Sequence, residues 1–220
     1  MVTFLTLDEK AAVLALVIGA LILYFGGAYG LFFLAVIFFF LALSAFVTNI
    51  GIGMKKRIKV YESKRGWKNV VANGIVPLII VMIYWYVGSS SPYSVALITV
   101  YIASVAGTTA DKFASELGVL GRENPVSIMT LKPVKKGVSG GITLFGTASS
   151  FVGAMLIGLS VLAIGLPMNY IVIIAVAGLI GSLVDSVAGH FEEHGFGSKY
   201  SSNVLCAIAA AVIVYVIIVL

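Results

Sequence analysis

The sequence predicts an all-α polytopic membrane protein, a bundle of about seven transmembrane helices. Three observations carry that expectation. Of 220 residues, 60% are hydrophobic and 10% charged, against about 45–50% and about 25% in soluble domains. The charges are also confined: none falls in 11–54, 69–110, 137–184 or 200–220, runs of 44, 42, 48 and 21 residues. Finally, each long run is broken near its middle by turn formers: Gly26-Gly27, Gly88-Ser89-Ser90-Ser91-Pro92 and Gly165-Leu166-Pro167. A span needs about 20 apolar residues, so the three long runs hold two spans each and the last run holds one. This composition excludes a soluble domain and a disordered chain. A β-barrel would alternate apolar and polar residues along each strand, and these runs do not.

Taken in order, the helices are expected at 11–26, 28–52, 70–88, 92–112, 141–165, 168–190 and 203–220, within one integral membrane domain over 1–220. The chain opens on Asp8-Glu9-Lys10 rather than a basic stretch, so the first helix reads as a span and not as a signal peptide. Tyr84-Trp85-Tyr86 ends the third helix with an aromatic belt. Cys206, the single cysteine, lies inside the last span and forms no internal disulfide. Seven spans put loops 54–69, 111–139 and 185–202 on one face. The first carries seven basic residues against Glu62 alone. The positive-inside rule then places these loops and the N-terminus in the cytoplasm and the C-terminus outside. The size of the chain and the lack of a transit-peptide pattern make the plasma membrane of a prokaryote the expected location.

Two helices running toward the charged face end alike, in Gly107-Thr108-Thr109-Ala110-Asp111 and Gly181-Ser182-Leu183-Val184-Asp185. Two helices leaving it begin alike, in Asn69-Val70 and Asn203-Val204. This internal repeat implies similar hairpin units, with Asp and Asn gathered at one depth. Transporters are built from such repeats too.

Acidic residues in or at the end of spans mark function by default, which selects Asp111, Glu116 and Asp185. Thr108, Asp111 and Ser115 share one helix face; Ser182, Asp185 and Gly189 share another. Carboxylates and hydroxyls are hard oxygen ligands suited to Mg²⁺; the plain alternative is pairing with loop lysines. Lys132, Lys135 and Lys136 precede Gly137, Gly140 and Gly141, at the expected opening of a helix. Lysines, close backbone N–H groups and a helix N-terminus together suit a polyphosphate, although the order is not that of a Walker A loop. Arg65 leads into Asn69 and Asn73, two amides one turn apart that can orient a ligand. Lys55–Lys59 reads as a lipid-headgroup anchor. His190, Glu193 and His194 match the H-x-x-E-H pattern of one metalloprotease class, but no further ligand accompanies them, and the segment reads as a solvated helix end.

Asp111-Lys112-Phe113-Ala114-Ser115-Glu116-Leu117-Gly118 resembles the D-x-x-A-S-E-x-G signature of the phytyl-phosphate kinase family. Lys132-Pro133-Val134 with Gly137, Gly140-Gly141 and Gly146-Thr147 resembles its second signature. Asn69 to Asn73-Gly74 and Gly181 to Ser186 resemble two further segments, in order over roughly residues 65–205. The family often has Pro between the Val and Gly of the second signature, where Lys135 and Lys136 stand here. The Asn-rich start of its last helix is reduced to Ser201-Ser202-Asn203. The resemblance implies phosphoryl transfer from a nucleoside triphosphate, CTP, to a membrane-borne prenyl monophosphate such as phytyl or geranylgeranyl phosphate, with Mg²⁺ as cofactor. Under it, Asp111, Glu116 and Asp185 hold metal, and with Lys132 they form the catalytic set. Arg65, Asn69, Asn73, Lys132, Lys135, Lys136, Gly137, Gly140, Gly141 and Asn203 hold nucleotide or phosphate. No nucleic-acid partner is expected, and the oligomeric state is open, a dimer included. The alternatives are a prenol kinase, a CTP-dependent cytidylyltransferase acting on a lipid phosphate and, in another class, a small transporter. Polar residues collected at one face rather than at mid-membrane speak against the transporter.

Overall fold

The structure, a computed structural model, describes residues 6–62 and 64–219; the side chains of Thr6, Lys64 and Arg65 lie outside that description. Strand β1 (Thr6–Leu7) pairs in parallel with β2 (Lys64–Arg65). Helix α1 (Glu9–Gly26) starts where the Asp8 carboxylate accepts the Ala11 N–H at 2.6 Å, satisfying one of the free donors of its first turn. Gly27, at φ +53°, opens a 3-10 turn (Gly27–Tyr29) that reverses the chain into α2 (Gly30–Asn49). The legs pack closely: the Leu34 side chain lies 3.5 Å from where a Cβ on Gly19 would sit. A short α3 (Ile52–Arg57) follows.

Next come α4 (Trp67–Val87) and α5 (Ser94–Gly118), then the antiparallel pair β3 (Val126–Ser127) and β4 (Gly141–Ile142). Helix α6 (Leu144–Gly158) runs on into a 3-10 segment to Ile164, and α7 (Asn169–Glu193) and α8 (Lys199–Val219) complete the bundle. Among the described residues, six stretches are long and apolar enough to cross a membrane. One of these, Glu9–Asn49, is the α1–α2 hairpin, which together with the other five accounts for the seven expected spans.

Helix ends on the charged side differ from expectation. Helix α5 continues past Asp111–Lys112 to Gly118, and α8 begins at Lys199 rather than at 203. Charge ends a hydrophobic span but not a helix: Lys112 and Glu116, four residues apart and ion-paired, support the extra turns. Helix α6 starts at Leu144 rather than 141, because Gly141–Ile142 is taken into the β3–β4 pair.

Helix α5 is the axis of the bundle, with α2, α4, α6, α7 and α8 around it and α1 outside against α2 and α4. Its apolar window is 83% buried, against 33–44% for the other spans, yet it is the least hydrophobic of them. A span enclosed by protein need not be greasy, but it must be slim and internally satisfied. Ala103, Ala106, Gly107 and Ala110 give it a slim surface. The hydroxyls of Thr99, Ser104, Thr108 and Thr109 donate to carbonyls of their own helix at 2.7–3.2 Å.

As expected, the charged loops share one face, and they touch. A Cβ on Gly137 would collide with Val60, Gly140 lies against Ser186 and His190, and Lys199 reaches Glu62 at 3.2 Å.

The packing makes a stability prediction. A Cβ on Gly181 would sit 2.7 Å from the backbone oxygen of Cys206, whereas one on Gly53 meets nothing within 4 Å. Gly181→Val should therefore destabilise the detergent-solubilised protein by about 1–3 kcal/mol, a typical overpacking cost. Thermal unfolding should show that loss, and little change for Gly53→Ala.

Candidate functional site

The expected repeat is visible in the packing. A Cβ on Gly107 of α5 would lie 2.9 Å from the Ala210 Cβ and 3.1 Å from the Cys206 oxygen. A Cβ on Gly181 of α7 would meet the same two atoms at 3.2 and 2.7 Å. One turn of α8 is thus gripped from two sides by equivalent glycines. Four residues beyond each glycine stand Asp111 and Asp185, which line one cleft and lie close enough for their charges to interact. The Oδ1 of Asp185 is buried and has no hydrogen-bond partner in the described structure. Adjacent carboxylates repel, and a cation relieves that repulsion.

The pair lies in a cleft of about 390 Å³ that opens among the charged loops. Thr108, Ser115, Ser182 and Gly189 line it too, so both expected helix faces point into one space. Asn73 and Asn203 line it from α4 and α8, with the Asn203 amide donating to the Asn73 oxygen at 3.1 Å. Lys136, Gly137, Gly140 and Gly141 border it from the loop side.

Other expected site residues sit elsewhere or do different work. Asp111, Glu116 and Asp185 all line the cleft, while among the described residues no three of His, Cys, Asp and Glu gather as a metal-binding group. Glu116 borders the cleft but pairs with Lys55 at 2.7 Å and with Lys112, and accepts the Thr48 hydroxyl at 3.0 Å. Lys55 is no lipid anchor. It is fully buried, and its ammonium donates to the Val47 and Thr48 carbonyls at 2.8 and 3.2 Å, at the C-terminal end of α2. A cation is favourable at a helix C-terminus, and Glu116 neutralises it.

Lys132 and Lys135 are exposed and do not line the cleft. Lys136 donates to the carbonyls of Val119, at 3.3 Å, and Gly121, just past the end of α5. The glycines that border the cleft also allow close packing. Gly140, at φ +77°, fits against the His190 N–H and the Ser186 carbonyl, where a Cβ would be 2.7–2.8 Å away. The first turn of α6 is already served by protein: Thr143 accepts from Gly146 N–H at 2.9 Å, and the Glu123 carboxylate accepts from Leu144 N–H at 2.8 Å. Asn69 lies outside the cleft, and the Arg65 side chain lies outside the described residues. The His190 and His194 rings lie 4.5 Å apart, but Glu193 is engaged elsewhere, accepting the Ser139 N–H at 3.1 Å, and His194 contacts the His190 carbonyl at 2.8 Å.

The cleft also holds residues that were not among the expected site set. Lys112 lines the cleft and pairs with Glu116, and its four-residue spacing from Glu116 was the available signal. Ser44 and Ser150, both buried, and Thr147 add hydroxyls from α2 and α6. Glu192 accepts the Ser202 hydroxyl at the rim. No local pattern distinguished these hydroxyls from helix-packing serines and threonines.

Apolar spans, short turns on one side and a carboxylate-bearing cleft beneath charged loops on the other define a multi-pass integral membrane protein. The chain belongs to the family described as Integral membrane protein DUF92, which matches residues 2–210. It is similar to an uncharacterized membrane protein of the archaeon Methanocaldococcus jannaschii, 34% identical over 94% of this chain and 84% of that protein. It is 32% identical to Protein PGR of Arabidopsis thaliana over 70% of this chain, and spans 62% of that protein's length. An uncharacterized membrane protein of Synechocystis is 28% identical over 71% of this chain and 61% of its own length. No solved structure matches the chain.

Two predictions concern the lysines. Lys55→Met removes one partner of a buried pair and should cost about 3 kcal/mol. The double variant Lys55→Met/Glu116→Gln should lose less than the sum of the single losses, read as a coupling energy in thermal or denaturant unfolding. Lys136→Ala should cost about 1 kcal/mol through its lost carbonyl contacts, while Lys132→Ala and Lys135→Ala stay within about 0.5 kcal/mol of the parent.

Proposed function

We propose that the protein is a prenyl-phosphate kinase of the membrane, transferring the terminal phosphoryl group of CTP to a prenyl monophosphate such as phytyl or geranylgeranyl phosphate. An oxygen of the acceptor monophosphate attacks the γ-phosphorus, the bond to the β-phosphate oxygen breaks, and CDP leaves. The observation that carries the reading is the Asp111–Asp185 pair, drawn from two equivalent helices into a cleft open to the charged face. The motif resemblance over residues 65–205 supports it.

The acceptor is already an anion, so the chemistry needs little general base. The difficulty is to bring anions together, and positioned charge does that. Mg²⁺ fits the donors present. It takes one or two carboxylates and completes its shell with phosphate oxygens and water, and Asp185 Oδ1 is an unengaged buried oxygen beside Asp111. Asp111 and Asp185 would hold it, with the Thr108 and Ser182 hydroxyls nearby in the cleft. Bound there, it would neutralise charge on the transferred group and the leaving diphosphate.

The chain's own residues do the rest. Lys112 supplies a cation at the cleft wall, held by Glu116. The Asn73–Asn203 pair fixes two amides at the cleft wall, where they orient a phosphate or the base. The loop over the cleft, pinned by Lys136, limits access of water to the transferred group. The charged face is then the cytoplasmic one, where nucleotide is available, as the basic loop 54–69 implies.

Purified protein, labelled CTP, Mg²⁺ and a panel of prenyl phosphates test this. The expected result is a prenyl diphosphate plus CDP, with kcat lowered by about 10²–10³ in Asp111→Asn and Asp185→Asn and near wild type in Lys132→Ala. Release of pyrophosphate instead of CDP would make the enzyme a cytidylyltransferase. Transfer to the free prenol would make it a prenol kinase. Loss of neither activity nor nucleotide binding in the two Asn variants defeats the site assignment.

A further inference from the structure

Around α5 the helices lock together or are covered from outside at every junction but one; α2 and α4, which touch little directly, are bridged by α1. Helices α6 and α7 lock through Gly158 against Ile171 and Gly178 against Ala154, and α7 and α8 through Gly181 against Cys206. Helices α8 and α4 are joined by the Asn203–Asn73 hydrogen bond. Gly74 of α4 receives Ile18 of α1, and the α4 ring Tyr84 stacks edge-on with Phe33 of α2 at 5.4 Å. Between α2 and α6 the described residues provide no hydrogen bond, ring contact or close glycine approach, and the two helices touch only slightly.

That junction is also a wall of the cleft. Phe40 and Ser44 of α2 line it, as do Gly146, Thr147 and Ser150 of α6. Ser150 lies six residues into α6 and Phe40 nine residues before the end of α2. At 1.5 Å per residue the cleft therefore reaches about 9–14 Å below the helix ends. At and just below that depth the outer surface is apolar and exposed: Val152 of α6 is 43% exposed and, slightly deeper, Phe38 of α2 60%. A polar space that descends to this level beside a loose junction can hold a molecule polar at one end and apolar at the other.

We infer that the α2–α6 seam is a lateral opening to the bilayer, through which the hydrocarbon tail of a single-chain lipid monophosphate leaves the cleft while its phosphate lies over Asp111 and Asp185. This rests on the phosphate-handling reading of the cleft and adds where the tail goes. A single slender chain is the occupant because the volume, about 390 Å³, is near the lower end of ligand pockets, about 300–1,000 Å³. Helix α6 contributes small residues to this wall, Gly146, Thr147 and Ser150, which leave room for a chain to pass.

The test is photo-crosslinking of the full chain in nanodiscs with a geranylgeranyl monophosphate carrying a diazirine in mid-chain, followed by peptide mapping. Adducts concentrated on 37–47 and 144–155, displaced by unlabelled geranylgeranyl phosphate, are the expected result. Adducts concentrated on another helix pair overturn the proposal, as do adducts spread over all lipid-exposed segments and indifferent to competitor. Thr147→Phe should lower displaceable labelling by about tenfold, as filling a close-packed passage would, while Val172→Phe, on an exposed part of α7, leaves it unchanged. If Thr147→Phe fails to fold, the wild-type adduct map decides alone. CTP-dependent transfer is measured on the same preparation. Seam adducts without transfer keep the opening and reject the kinase; transfer with adducts elsewhere does the reverse.

Discussion

The structure depends on one close approach: a single turn of α8 held between Gly107 of α5 and Gly181 of α7. In lipid no hydrophobic force draws helices together, and contact area gained by removing side chains does much of that work. Here the same backbone oxygen and the same alanine of α8 meet both glycines. The two helices are thereby set at one depth, and the carboxylates four residues further along meet. Both helices run toward the charged face, so the repeat relates them by an axis along the membrane normal, as in parallel-repeat membrane proteins. The acidic pair is a product of that symmetry rather than of any local motif.

A second constraint follows from placing α5 at the centre. A surrounded helix has neither lipid nor water to satisfy its polar groups, so each hydroxyl must find its own partner. The backbone-bonded hydroxyls of Thr99, Ser104, Thr108 and Thr109 meet that condition. At the charged end the condition is met by ions instead, where Glu116 joins the end of α2 to α5 through Lys55 and Thr48. The cleft lies just beyond this junction, so rigidity beside it and looseness at the α2–α6 seam are neighbours.

The spans were legible in the sequence because lipid excludes charge, and that exclusion leaves gaps any reader can count. Their ends on the charged side were not, since Asp111–Gly118 and Lys199–Ser202 remain helical after the hydrocarbon has ended. The repeat singles out Asp111, Asp185 and Asn203, and an amide inside a span singles out Asn73; the fold brings these four to one cleft. Glu116 looked the same as Asp111 in sequence: an acid near a span end. Only the fold brings Lys55 beside it across distant segments of chain. In loop 130–141 the sequence did not show that Gly140 packs against the backbone of α7 or that Lys132 and Lys135 point away from the cleft.

The burial of Lys55 alters the electrostatic surface that the lipid headgroups meet. In sequence, loop 54–69 carries seven basic residues against one acid. One of those seven is turned inward and discharged against Glu116. Another, Lys68, sits over the rings of Trp67 and Tyr200, and Lys56 over that of Tyr61, where aromatic faces share the cation with solvent. Attraction of this face to anionic lipid therefore rests on a smaller and softer set of charges than the sequence counts.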